Sequence, residues 1–136
     1  MSAPWIGILI ATVAAMAVGA AWYGTLAKAW MTAAGLSAEA VKEGESPVIY
    51  AVAAAAHLVM AWVLSGVIFH AAGADGVSIG DGVVSAFLAW LGFAAVPLVV
   101  THRFQMRPWS LTALDAGHYL AVLVVQGAIL GWWMSA

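Results

Sequence analysis

An aspartate and a histidine lie three residues apart in the segment DAGHYL, which starts at Asp115 near the beginning of an apolar run that continues to the C-terminus. Charge is costly in hydrocarbon, so ionisable residues in such runs are rare and mark binding sites or proton pathways. A histidine exchanges its proton near neutral pH at low cost. Asp115 and His118 are therefore candidates for binding or relaying a proton or a small solute.

Helical spacing extends this pair into a polar face. Residues at i, i+3, i+4, i+7 and i+11 share one side of a helix, and the faces that start at Asp115 and at Tyr50 each carry a histidine. Both faces start at the same end of their apolar runs, so we expect the two imidazoles at similar depth, facing the bundle interior or an oligomer interface. The candidate polar intramembrane site comprises Tyr50, His57, Ser65, Asp115, His118, Tyr119 and Gln126.

Two other roles fit the same residues. The polar groups can form hydrogen bonds that hold the helices together. Alternatively, His57 and His118 can be the two axial ligands of a haem iron, or can bind another metal. The chain has no cysteine, which excludes a c-type attachment and leaves haem b as the alternative. We otherwise predict no cofactor.

The composition places these residues in a membrane. Hydrophobic residues make up 65% of the 136 residues and charged residues 7%, whereas soluble domains carry about 25% charged residues. About 20 helical residues cross a bilayer, and the apolar stretches of that length are 5–26, 47–69, 82–101 and 110–133. We predict an all-α polytopic membrane protein, a four-transmembrane-helix bundle in one domain over 1–136, with a short amphipathic cytoplasmic segment at about 36–43.

The basic residues suggest an orientation. All four lie between the first and second helices or between the third and fourth, so the positive-inside rule makes these loops cytoplasmic and both termini external (N-out/C-out). Trp22 and Tyr23 are expected as aromatic anchors at this interface. We expect Arg103 or Arg107 to pair with Asp115. The cytoplasmic interface cluster comprises Lys28, His102, Arg103 and Arg107.

An internal repeat relates the second and fourth helices. Residues 54–68, AAAHLVMAWVLSGVI, align without a gap on residues 115–129, DAGHYLAVLVVQGAI, and five positions are identical. The rarest residue of each window matches, because His57 falls on His118. This pattern favours two tandem helical hairpins, both in the same orientation, arranged as a parallel repeat.

Several longer motifs resemble a known family. GAAWYGTLAKAWM at 19–31, WLGF at 90–93, HRFQMRPWSL at 102–111 and AGHYL through GAILGWW at 116–133 are similar to DUF1761, a family of small bacterial four-helix membrane proteins without an assigned activity. The resemblance covers nearly the whole chain. It implies a multi-pass protein of the bacterial inner (plasma) membrane, and it implies no catalytic residues.

The sequence offers little support for an enzyme. It has no Gly-rich phosphate loop with its lysine and no HExxH or GxSxG motif, and its net charge of −2 argues against nucleic acid binding. We expect binding or permeation of a proton or small solute, with an accessory subunit of a larger membrane complex as the alternative. The expected partners are the lipid bilayer and either further copies or other membrane subunits, contacted through small residues in GVIFHAAG and QGAILG.

Overall fold

The computed structural model describes residues 4–136, most of which are helical. The helices are α1 (Trp5–Thr25), α2 (Ala27–Ala34), α3 (Ala38–Gly44), α4 (Pro47–Ala71), α5 (Ile79–Trp90), α6 (Val96–Phe104) and α7 (Trp109–Ser135), with a π-helical turn, Leu91–Ala95, between α5 and α6. Together α5, the π turn and α6 form one continuous segment, Ile79–Phe104, called the α5–α6 helix below. There is no β-strand among residues 4–136.

Four of these segments are long and apolar enough to cross a membrane. They are α1, α4, the α5–α6 helix and α7, with 21 to 27 residues and mean hydropathies of 1.5 to 2.3, whereas crossing needs about 20 residues. This confirms the predicted all-α four-helix fold. The last two helices extend beyond the predicted stretches 82–101 and 110–133 at both ends, and α3 lies near the predicted short segment 36–43.

Local side-chain chemistry fixes where several helices begin and end. The Ser46 hydroxyl accepts a hydrogen bond from the first-turn backbone of α4, and Ser78 and Asp81 form a reciprocal capping box at the start of α5. Gly35 ends α2 in the left-handed conformation, with φ of 70°, which glycine adopts without steric cost. The second and third connections between spanning helices, residues 72–78 and 105–108, are short, whereas the first contains α2 and α3.

The last helix, α7, lies at the centre of the bundle. It packs against α1, α4 and the α5–α6 helix, while α4 also contacts α1 and α5. One end of the bundle carries all four basic residues and is called the basic end; the other, with the 72–78 loop, Trp5 and Trp133, is called the far end. The apolar core occupies the far half, where Ile8, Ile68 and Leu130 are fully buried.

Three glycines allow α5 and α7 to touch backbone to backbone. A Cβ added at Gly131 would lie 2.7 Å from the Ser78 carbonyl oxygen, and one added at Gly127 would lie 2.7 Å from the Ala86 Cβ. A Cβ at Gly82 would overlap the Gly127 carbonyl. Small residues permit this close approach between membrane helices, where packing drives association. The QGAILG glycines, expected at an oligomer contact, are thus buried within the chain.

The α5–α6 helix contains one wider turn. The Val96 N–H donates to the Leu91 carbonyl, five residues earlier, instead of the usual four. Pro97 follows directly and has no N–H to donate, so it cannot continue the regular ladder across this point. Single π turns of this kind interrupt α-helices without ending them.

We predict that Gly82→Ala destabilises the bundle. The added methyl group meets only backbone atoms, with the Gly127 carbonyl carbon at 2.9 Å and the Gly131 Cα at 3.1 Å, so the two helices must move apart. Overpacking of this kind costs about 1–3 kcal/mol. Denaturation by SDS titration in mixed micelles measures the loss. Gly92→Ala, on the same helix with nothing within 4 Å, is the control, and an equal loss in both variants would contradict the prediction.

Candidate functional site

Two buried histidines face each other inside the bundle. His57 on α4 and His118 on α7 have ring centroids 6.3 Å apart with their planes at 78°, and their exposed fractions are 7% and 6%. They therefore lie at one depth, as the helical spacing indicates, and α4 and α7 face each other within one chain. His57 and His118 are called the histidine pair below.

The pair has unused hydrogen-bonding capacity. Among residues 4–136, three ring nitrogens have no hydrogen-bond partner: Nδ1 and Nε2 of His57 and Nδ1 of His118. Buried polar groups are nearly always paired, so such atoms indicate a functional role or a bound species. Two tyrosine rings enclose His118, with Tyr23 at 4.8 Å and Tyr119 at 4.9 Å between centroids. The surroundings of His118 are thus aromatic.

Asp115 lies one helical turn from His118, toward the basic end, and its two oxygens contact different helices. The Tyr23 hydroxyl on α1 donates to Asp115 Oδ1 at 2.8 Å, and His102 Nε2 on α6 lies 3.9 Å from Oδ2. Hydrogen bonds to a carboxylate are stronger than neutral ones. Asp115 therefore links α1, α6 and α7 at a point between the basic end and the histidine pair.

The prediction that Arg103 or Arg107 pairs with Asp115 is wrong. The Arg103 guanidinium donates to the Thr112 hydroxyl at 2.7 Å and to the Arg107 carbonyl at 2.9 Å, and it stacks on the Trp109 ring at 3.6 Å. Arg107 donates to the carbonyl that ends α2. Both guanidinium groups find partners closer to the surface, where a cation is less costly to desolvate.

An ordered series of polar contacts runs inward from the basic end. Arginine can only donate, so Thr112 accepts from Arg103 and can donate its own hydrogen to His102 Nδ1, 2.9 Å away. His102 Nε2 then carries the hydrogen that faces Asp115. The order continues through Asp115 and Tyr23 to the histidine pair.

Gln126 closes this polar region on the side of the far end. It is fully buried, and its Nε2 donates to the His57 carbonyl at 3.0 Å. Its Oε1 has no partner among residues 4–136. Beyond it the buried residues of α4 are Ala61, Leu64 and Ile68 together with Ser65, whose hydroxyl bonds within its own helix. The polar region thus spans only part of the bundle.

Of the other predicted site residues, Tyr50 and Ser65 lie apart from this group, whereas Tyr119 contacts it. Tyr50 is exposed on α4 and donates to Glu45 at 2.7 Å, and the Ser65 hydroxyl donates to the Trp62 carbonyl. Tyr119 contacts His118 but also lines an apolar cleft on the bundle surface. Of the predicted interface cluster, His102 and Arg103 join at Thr112, while Lys28 lies beside a shallow depression at the basic end.

Several site residues did not emerge from the sequence. The sequence indicates Tyr23 only as an interface anchor, and it carries no signal for Thr112. Trp22 and Trp90 donate their indole N–H groups to the Leu114 and Ala116 carbonyls, on either side of Asp115. Their depth in the membrane could have indicated the contact between Tyr23 and Asp115, because each lies a few residues inside the basic end of an apolar helix.

Packing around His118 does not fit a haem between the two imidazoles. Gly19 on α1 lies against His118, since a Cβ built on it would be 3.3 Å from Nε2, and the Tyr23 ring covers another side. A planar macrocycle coordinated by both rings would have to displace these groups. In the described part of the chain, no three His, Asp or Glu side chains are grouped to hold a metal ion.

Four apolar helices that bury a polar cluster define a polytopic helical membrane protein. Within this class, the chain belongs to the family DUF1761, described as a protein of unknown function, which matches residues 6–131. The resemblance noted in the sequence is thus confirmed over nearly the whole chain. No match was found among curated proteins, and none among solved structures.

We predict that Tyr23→Phe destabilises the bundle, because Asp115 loses the one short hydrogen bond that it receives from another helix among residues 4–136. Hydrogen bonds to charged groups contribute about 1.5–3 kcal/mol. SDS titration in mixed micelles measures the change. Tyr50→Phe is the matched control, since it removes an exposed bond to Glu45. If both variants unfold at the same SDS fraction, Tyr23 does not anchor Asp115.

Proposed function

We propose that this membrane protein binds a proton at the histidine pair and takes it up from the basic end. The observation that carries the proposal is the pair itself: two imidazoles, each more than nine-tenths buried and 6.3 Å apart. Three of their four ring nitrogens have no hydrogen-bond partner in the described part of the chain. An imidazole changes its charge between about pH 5 and 8. Such a group inside a membrane helix is by default a functional residue.

The pair binds one proton rather than two. Two unit charges about 6 Å apart repel by about 3 kcal/mol at an effective dielectric constant of about 20. Binding the first proton therefore disfavours the second, and the two rings titrate as one coupled unit.

Three groups connect the pair with the basic end. The ring nitrogens of His102 and the oxygens of Asp115 can form hydrogen bonds, and the Tyr23 hydroxyl both donates and accepts them. Tyr23 touches both Asp115 and the His118 ring. On the far side, the buried side chains of Ile8, Leu64, Ile68 and Leu130 offer no such groups. This difference between the two sides supports reversible binding of a proton from the basic end.

The charge distribution supports an orientation for this uptake. Lys28, Lys42, Arg103 and Arg107 are confined to the basic end, so we propose that it faces the cytoplasm and that both termini face outward. The bacterial plasma membrane is the proposed location. Under this orientation the histidine pair exchanges protons with the cytoplasm.

Nitrogen-15 NMR of histidine-labelled protein in detergent micelles tests the proposal. We expect the ring signals of His57 and His118 to change together between about pH 5 and 8, with a total amplitude of one proton. His118→Gln should shift the titration of His57, because the charge repulsion is removed. His70→Gln is the control, since His70 is an exposed histidine on the same helix, α4, and it should leave both signals unchanged.

The route is tested by Asp115→Asn. It should slow proton exchange at the pair by about tenfold or more, the scale of a lost acid–base group, without changing how many protons bind. If neither imidazole titrates over this pH range, or if the two titrate independently with two protons, the proposed function is wrong.

A further inference from the structure

A cavity of about 520 Å³ lies at the far end, away from the histidine pair. Its wall contains a tryptophan from each of three spanning helices, namely Trp5 on α1, Trp62 on α4 and Trp133 on α7, together with Phe69. Small-molecule sites have volumes of about 300–1,000 Å³. The cavity is called the tryptophan cavity below.

The protein packing leaves much of these aromatic surfaces free. Trp5 and Trp62 are 54% and 55% exposed, and Phe69 is 48% exposed. Tryptophan presents the strongest negative electrostatic potential on its ring face among the aromatic side chains, and clusters of such rings bind quaternary ammonium ions. Four aromatic rings from three helices therefore form a surface that favours a cation with apolar substituents.

The charges near the cavity favour the same ligand. All four lysines and arginines lie at the basic end. The loop that supplies Gly76 and Val77 to the cavity wall carries Asp75, and Asp81 follows in the first turn of α5. Among the described Asp, Glu, Lys and Arg residues, the far end therefore carries only negative charge. This charge attracts a cation and disfavours an anion.

We propose that the tryptophan cavity binds a lipophilic organic cation, such as a quaternary ammonium or phosphonium ion. The depth of the cavity in the membrane favours this ligand over the headgroup of a choline lipid. Trp62 lies nine residues before the end of α4 at Ala71, which at 1.5 Å per residue is about 13 Å along the helix. The cavity reaches well below headgroup level. An ion shielded by apolar groups can enter this region, whereas a hydrated headgroup stays at the surface.

Equilibrium dialysis in a non-ionic detergent tests the proposal with two ions of the same shape and opposite charge. Tetraphenylphosphonium should bind saturably, with one ion per chain, and tetraphenylborate should bind at least about tenfold more weakly. Trp62→Leu should weaken phosphonium binding by about fivefold, the scale of one cation–π contact. Trp62→Phe should fall between the two, because phenylalanine keeps a weaker ring face.

Two controls make the result specific. Trp109→Leu removes an exposed tryptophan at the basic end and should not change binding. His118→Gln should also bind the phosphonium ion normally, so failure of this proposal is distinguishable from failure of the proton site. Equal binding of both ions, unchanged binding in Trp62→Leu, or displacement by added phosphatidylcholine would each overturn the proposal.

Discussion

Hydrocarbon cannot supply hydrogen bonds, and this constraint explains why α7 lies at the centre of the bundle. A polar group inside a membrane needs a partner from another part of the chain. Asp115 and Thr112 on α7 find theirs on α1 and α6, and Gln126 finds one on α4. A central helix reaches all three neighbours, so it can carry the most polar residues. The histidine pair departs from this most, since three of its ring nitrogens find no partner within residues 4–136.

Two kinds of packing divide the bundle along its length. In the far half, glycines bring α5 and α7 into backbone contact, and the core is apolar. In the half near the basic end, tryptophans fill the space between helices and bind carbonyls of α7. Gly117 leaves room for the Trp22 ring, because a Cβ there would lie 2.9 Å from it. The backbone contact with α5 holds α7 in place in the far half. In the half near the basic end, the tryptophans keep the helices far enough apart to accommodate the polar site.

Composition and the lengths of the apolar stretches predicted the four-helix fold. Helical spacing predicted a similar depth for His57 and His118, because depth depends on one helix at a time, and it left open whether their helices face each other within one chain. It failed where the rotation of one helix against another decides the contact. Tyr23 points to Asp115 because of how α1 packs on α7, a rotation that spacing within α1 does not contain. Long side chains are a second difficulty: Arg103 could reach Asp115 by length, yet local acceptors bind it first.

The π turn determines which way the two halves of the α5–α6 helix face. Trp90, before it, donates to Ala116, and His102, after it, contacts Thr112, so both side chains point to α7. At about 100° per residue, the twelve steps between them would place them about 120° apart on a regular α-helix. One extra residue in the wider turn reduces this angle to about 20°. The number of residues between Trp90 and His102 must therefore stay constant for both side chains to face α7. If one of these residues were deleted, no side-chain substitution could restore that arrangement.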